Sequence, residues 1–223
     1  MDPMKLLRSL EEFLFEAIAL LFFYPVTFFR ILFKPLATMR YAESEERMDQ
    51  EGRYNAAVSP PLLLVLTLVL ANFIGVAAHA PQPQSAGPFA KMIFDSPQYL
   101  VLFRGLLFSL LPLVGAVTLL GKQNVAVSRN ALRPYFFAQC YLTVPFTLFM
   151  TLGGIGIARG EGTPLLMGTV ICIACCLWLI TVQALWFKAK LSRSLLASVL
   201  TALGVFFRAA LYLVLVAVLV NWL

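Results

Sequence analysis

The chain has 223 residues, 61% hydrophobic and 13% charged, with a mean hydropathy of +0.86. A soluble domain carries about 25% charged residues, so this composition excludes an ordinary water-soluble protein and predicts an all-α, polytopic membrane bundle. The net charge of +6 does not mark a nucleic-acid binder, because the basic residues sit between apolar segments rather than on one polar face.

Residues 4–24 read as an amphipathic helix, with Lys5, Arg8, Glu12 and Glu16 at helical spacing among Leu, Phe and Ala. Pro25 interrupts it, and a second apolar patch, VTFFRILF, ends at Lys34 and Pro35. Residues 4–34 are therefore expected to lie in the membrane interface or to form a shallow re-entrant pair. A complete span over 13–33 is the competing reading. A secretory signal fits less well, since acidic residues abut the apolar stretch and no small-residue cleavage site follows. Residues 36–58 are polar and hold YAESEERMDQEGRYN, predicted to be an aqueous helix or linker. The domain division is thus 1–58, cytoplasmic or interfacial, and 59–223, transmembrane.

Five long apolar segments follow, at about 60–80, 99–121, 135–157, 164–187 and 195–223. Each suffices for a helix crossing roughly 30 Å of hydrocarbon at 1.5 Å per residue. A membrane barrel would instead show short alternating strands, which the sequence lacks. The region before Pro60 carries Lys5, Arg8, Arg30, Lys34, Arg40, Arg47 and Arg53. The second and fourth connections between apolar segments carry Lys122, Arg129 and Arg133, and Lys188, Lys190 and Arg193. The alternate connections hold only Lys91 and Arg159. The positive-inside rule then predicts a cytoplasmic N-terminus and a periplasmic C-terminus in a bacterial inner membrane. A full span at 13–33 would move only Lys5 and Arg8 to the far side.

Polar groups at membrane depth are the functional flags. Arg208 lies well inside the last apolar run. It either snorkels to head groups or faces inward and pairs with Glu16. Arg104 is expected to snorkel. Asn72, Gln139 and Gln183 sit within predicted spans, where amides commonly join helices. With Arg208 they make a candidate polar cavity, with helix adhesion as the plainer account. Cys172, Cys175 and Cys176 are read as small apolar filler rather than a metal or palmitoylation site, and no disulfide framework is expected from the four cysteines. Gly156 and Gly160 have helix-packing spacing or simply make a turn. Pro112 and Pro145 predict kinks. His79 is the only histidine and is read as a loop residue. No phosphate-cradling loop, HExxH or nucleophile–base set is present, so no cofactor, metal or catalytic residue is expected.

The sequence FYPVTFFRILFKP at 23–35, with Pro25, Phe29 and Ile31 followed by Pro35, then a polar connector and SPPLLLVLTLVLANFIG at 59–75, resembles the Yip/YIPF superfamily and its bacterial permease-like branch. The resemblance implies a cytoplasmic N-terminal region followed by five helices. The element that eukaryotic members associate with Rab-type GTPase binding has no counterpart here, so the resemblance transfers no site residue. Two functions are expected. The first is a non-enzymatic accessory or scaffold subunit, with a protein partner or a second copy. The second is a small permease or lipid-handling protein acting as an oligomer through Asn72, Gln139, Gln183 and Arg208.

Overall fold

A computed structural model describes residues 3–48, 53–80 and 87–222. Part of the polar connector lies outside this set, as do the side chains of Lys5, Arg8 and Glu12. Eight helices run in order: α1 (Pro3–Phe33), α2 (Pro35–Arg47), α3 (Pro60–Ala77), α4 (Pro88–Asp95), α5 (Pro97–Lys122), α6 (Arg129–Ala158), α7 (Gly162–Leu191) and α8 (Leu195–Trp222). No strand occurs among the described residues. The expected all-α bundle is therefore present, and with this apolar make-up the chain is a helical membrane protein.

The number of long apolar helices differs from the expectation. Proline removes one backbone donor, and the sequence expectation ends the first helix at Pro25. In the structure α1 passes through Pro25 without a break, in place of a re-entrant pair. Among the described residues six helices, α1 included, are long and apolar enough to cross a membrane. The break comes later, at Lys34, which is pushed out of the helical region by the ring of Pro35. The hydroxyl of Thr38 serves that corner, donating to the carbonyls of Lys34 at 3.0 Å and Arg30 at 3.2 Å.

Helix α6 is the centre. Residues 138–145 are buried on every side, and α6 packs against α1, α2, α3, α5 and α7. Helix α8 closes the bundle against α5 and α7. Pro112 in α5 and Pro134 and Pro145 in α6 leave their helices continuous. The short helix α4, read from sequence only as part of a connection, tucks Ala90 and Ile93 against Val220 of α8.

Polar groups that lipid cannot satisfy must bond within the protein. Where the chain enters α3, Pro60 and Pro61 supply no backbone N–H, and Val58 is buried. Its N–H donates to Thr27 Oγ1 at 3.2 Å, and its carbonyl accepts from Tyr141 Oη at 2.6 Å. One residue thus joins α1 and α6 to the start of α3. Two turns into α3, Thr67 Oγ1 lies 3.1 Å from Tyr24 Oη.

The α6–α7 contact rests on three glycines. A Cβ on Gly168 would lie 2.5 Å from the Gly153 carbonyl oxygen and 2.8 Å from Ile157 N. A Cβ on Gly156 would meet the Pro164 carbonyl oxygen at 2.8 Å. Between lipid-bathed helices, such backbone approach replaces the missing hydrophobic drive. Gly160 is not part of it. Its φ of +79° places it in the turn between the helices, the second of the two roles its spacing allowed.

Gly168→Ala is expected to push α6 and α7 apart and cost about 2 kcal/mol, on the order of 5 °C in the thermal midpoint. Gly154→Ala, on the open side of α6 with nothing within 4 Å, is expected to leave the midpoint unchanged or raise it. Thermal unfolding of both variants in detergent checks the contrast.

Candidate functional site

The five residues marked from sequence do not form one cluster. Gln139 of α6 and Gln183 of α7 do meet, in the core, at 2% and 4% exposure. Gly115 of α5 makes room for them. A Cβ there would stand 3.0 Å from Gln139 Oε1 and 3.0 Å from Gln183 Nε2. Neither Nε2 atom finds a hydrogen-bond partner among the described residues. This is a buried amide pair at a three-helix junction, rather than the wall of a cavity that includes Arg208.

Arg208 lies elsewhere, exposed on the seam between α8 and α5. Its Nε donates to the Gly204 carbonyl at 2.9 Å, and a terminal nitrogen donates to Thr118 Oγ1 at 3.2 Å. The Arg208–Glu16 pair considered from sequence does not form. Glu16 is exposed on the first half of α1, and α1 packs against α2 and α6 while Arg208 faces α5.

Asn72 has a partner that sequence reasoning did not give it. Arg104 of α5 is the residue expected to snorkel. Its guanidinium reaches across to α3 and donates to Asn72 Oδ1 at 3.3 Å. Arg104 stands seven residues into α5, about 10 Å from its start. Both side chains line a cleft of about 350 Å³ between α3, α5 and α6, with Ala71, Gly75, Phe108, Met150 and Thr151 among its walls. Gly75 and Gly154, which present no side chain, keep the cleft open. A guanidinium carries five N–H donors, and one neutral amide accepts a single, long bond. Among the described residues no carboxylate pairs with Arg104, and the undescribed segment 81–86, PQPQSA, contains no acid. The cleft is thus a half-buried cation with unused donors in an apolar frame.

The opposite end of the bundle carries a charge cluster that sequence reading placed in water. On α2, Met39, Ala42, Glu43 and Glu46 form one buried stripe. The Glu46 carboxylate, 1% exposed, accepts from Arg133 Nε at 2.6 Å and from Arg53 at 3.3 Å. Glu43 pairs with Arg47 at 2.7 Å and with Lys190. Tyr54 Oη donates to Glu46 Oε1 at 3.1 Å, and its backbone N–H donates to Glu45 Oε2 at 2.7 Å. Burial, and then the Glu46 charge, push the Tyr54 phenol well above the ordinary tyrosine range. It therefore remains a protonated donor. Arg133 also lies over the Phe137 ring at 5.2 Å, and Lys190 over Trp186 at 4.8 Å. The signal was present in the i, i+3, i+4 stripe of α2. Its long-range partners, at positions 133 and 190, were too distant in sequence to be matched to it.

This cluster also gathers the basic connections at one end. Gln123 Nε2, just beyond α5, donates to the Lys190 carbonyl at 3.4 Å, so the connections after α5 and after α7 are neighbours, as the alternating charge pattern required. Among the described residues no group of three or more His, Cys, Asp and Glu side chains is placed to hold a metal ion. The four cysteines are free, and Cys172 sits against Gly153 in the α6–α7 contact. Compared with models of known protein families, with curated proteins and with solved structures, the chain matches none.

Two predictions follow from these contrasting polar sites. Glu46→Gln leaves two arginines facing a neutral amide, and is expected to cost about 3 kcal/mol, on the order of 10 °C in thermal midpoint. Gln183→Met removes an amide nitrogen with no partner among the described residues, and is expected to hold or raise the midpoint. Unfolding in detergent, followed by helical circular dichroism, reads both; a large fall in the second variant would mean that the amide has a partner.

Proposed function

We propose that this chain is a non-enzymatic integral membrane protein that handles an amphipathic anion, the lipid-handling reading of its sequence. The observation that carries it is the Arg104–Asn72 cleft. A cation at membrane depth is costly unless something neutralises it. Arg104 reaches across to Asn72 in a cleft whose remaining walls are apolar apart from the Thr151 hydroxyl. Carboxylate or phosphate is the chemistry a guanidinium fork recognises. Among the described residues lining the cleft there is no acid, histidine or cysteine to activate the Thr151 hydroxyl, and a binding role is the reading we favour.

The same reading puts the Glu43–Glu46 end in the bacterial cytoplasm, since Arg40, Arg47, Arg53, Lys122, Arg129, Arg133, Lys188, Lys190 and Arg193 gather there. The Arg104 cleft then opens towards the periplasmic leaflet. With α1 as a sixth span both termini lie on the periplasmic side, whereas an interfacial α1 keeps the N-terminus cytoplasmic. The Yip-like motif at 23–35 belongs to this proposal as a resemblance and supplies no binding residue.

A second reading, an accessory subunit of a larger complex, is favoured by α1. Its first half exposes Leu14, Phe15, Ile18, Leu21 and Phe22, and Glu16 lies among them without a cation partner among the described residues. A partner subunit's basic group would satisfy that carboxylate.

Mass spectrometry of the protein purified in neutral detergent tests the first reading. The wild type is expected to carry anionic lipid, and Arg104→Gln to carry at least about tenfold less, the loss of a charge-assisted contact. Equal anionic lipid in both overturns it.

A further inference from the structure

We propose that the ligand of the Arg104 cleft is an acylated phosphate or carboxylate whose hydrocarbon chain crosses between α5 and α6 and lies in a second groove, formed by α5, α6 and α8. This deepens the proposed function and rests on it.

The second groove has a volume of about 360 Å³. Its walls include Leu107 and Leu111 of α5, Phe146 of α6, and Ala210 and Leu213 of α8. Every residue lining it is apolar, and Ala209 and Ala210 supply the concavity. The groove adjoins the cleft. Phe108 of α5 and Met150 of α6 line both. The two spaces therefore meet across a wall of two side chains, one aromatic and one unbranched thioether. Methionine has three rotatable bonds and yields readily to an irregular neighbour.

The direction is also that of a lipid. Arg104 lies near the start of α5, while Leu107 and Leu111 lie progressively deeper, Leu111 about 10 Å beyond Arg104. An anionic head at Arg104 and Asn72 thus leaves its chain pointing towards the middle of the bundle, where the groove begins. A free oxyanion would use the cleft and leave the groove unused. A neutral lipid would use the groove and leave the Arg104 donors unmatched. Only an amphiphile with an anionic head complements both. In a bilayer the chain gains little from leaving water, because its alternative surroundings are equally apolar. The groove therefore acts through shape, and filling it should discriminate against the tail without touching the head.

The experiment measures retention of three probes by the full chain in neutral detergent: long-chain phosphatidic acid, diacylglycerol with the same chains, and inorganic phosphate. Variants are Arg104→Gln, and Ala210→Trp with Leu107→Trp as a second groove-filling change from the opposite wall. Thermal midpoints identify any variant that fails to fold. The wild type is expected to retain phosphatidic acid at least about tenfold better than either other probe, the worth of one charge-assisted contact. Arg104→Gln is expected to abolish that preference. A folded groove-filling variant is expected to lose phosphatidic acid several-fold while its weak phosphate binding is unchanged. If both groove-filling variants retain phosphatidic acid like the wild type while Arg104→Gln loses it, the tail assignment is overturned and the head site stands. If Arg104→Gln retains it, the lipid-handling reading itself fails. If inorganic phosphate binds as well as phosphatidic acid, the ligand is a free oxyanion and the inference is overturned.

Discussion

Helices in lipid gain little by hiding apolar surface from one another, so contact must come from close backbone approach and from polar groups that have no other outlet. Helix α6 concentrates both. Its glycines admit Gly168 of α7, its Tyr141 receives no help from solvent and bonds the Val58 carbonyl, and its Arg133 meets the buried Glu46. Buried along its middle on every side, it is the element against which α1, α2, α3, α5 and α7 find their positions. Remove those anchors and the remaining helices have only dispersion forces to tell one packing from another.

Polarity is sorted along the bundle by what each end asks of it. At the α2 end, two carboxylates are compensated by three arginines and a lysine. Such an arrangement gives specificity of docking more than raw stability, since desolvation offsets much of the attraction. In the middle, Gln139 and Gln183 bring amides together at Gly115 without completing their hydrogen bonds. At the far end Arg104 has one neutral acceptor and open space. The three settings run from fully compensated to under-compensated charge. The under-compensated one is where a ligand finds work to do.

Much of the architecture was legible because lipid imposes crude requirements: sufficient length, apolarity, and basic connections on one side. Those rules read α3 and α5–α8 directly. Pro25 misled, because a proline was weighed as a stop when α1 merely passes through it and breaks instead before Pro35. Helix α4 has eight residues, too few for periodicity to stand out. The meeting of Gln139 with Gln183 was foreshadowed by their similar depth. The pairing of Asn72 with Arg104, 32 positions apart, was not, since depth along a helix says nothing about which face it presents. The burial of Glu43 and Glu46 was hidden for the same reason, in a segment whose overall polarity resembled a linker.

The ion pairs of α2 have a consequence for the order in which the molecule is built. Glu43 and Glu46 emerge from the ribosome long before Arg133 and Lys190, their partners on α6 and α7. Until those helices have been inserted, α2 carries acidic groups whose long-range counter-charges do not yet exist, which keeps it hydrated at the membrane surface rather than drawn inward. Its docking therefore waits for α6, which supplies Arg133 and most of its packing, and Lys190 of α7 completes the Glu43 pair. Until α6 is in place, α2 keeps only its local partners Arg47 and Arg53 and stays a loose, water-facing helix.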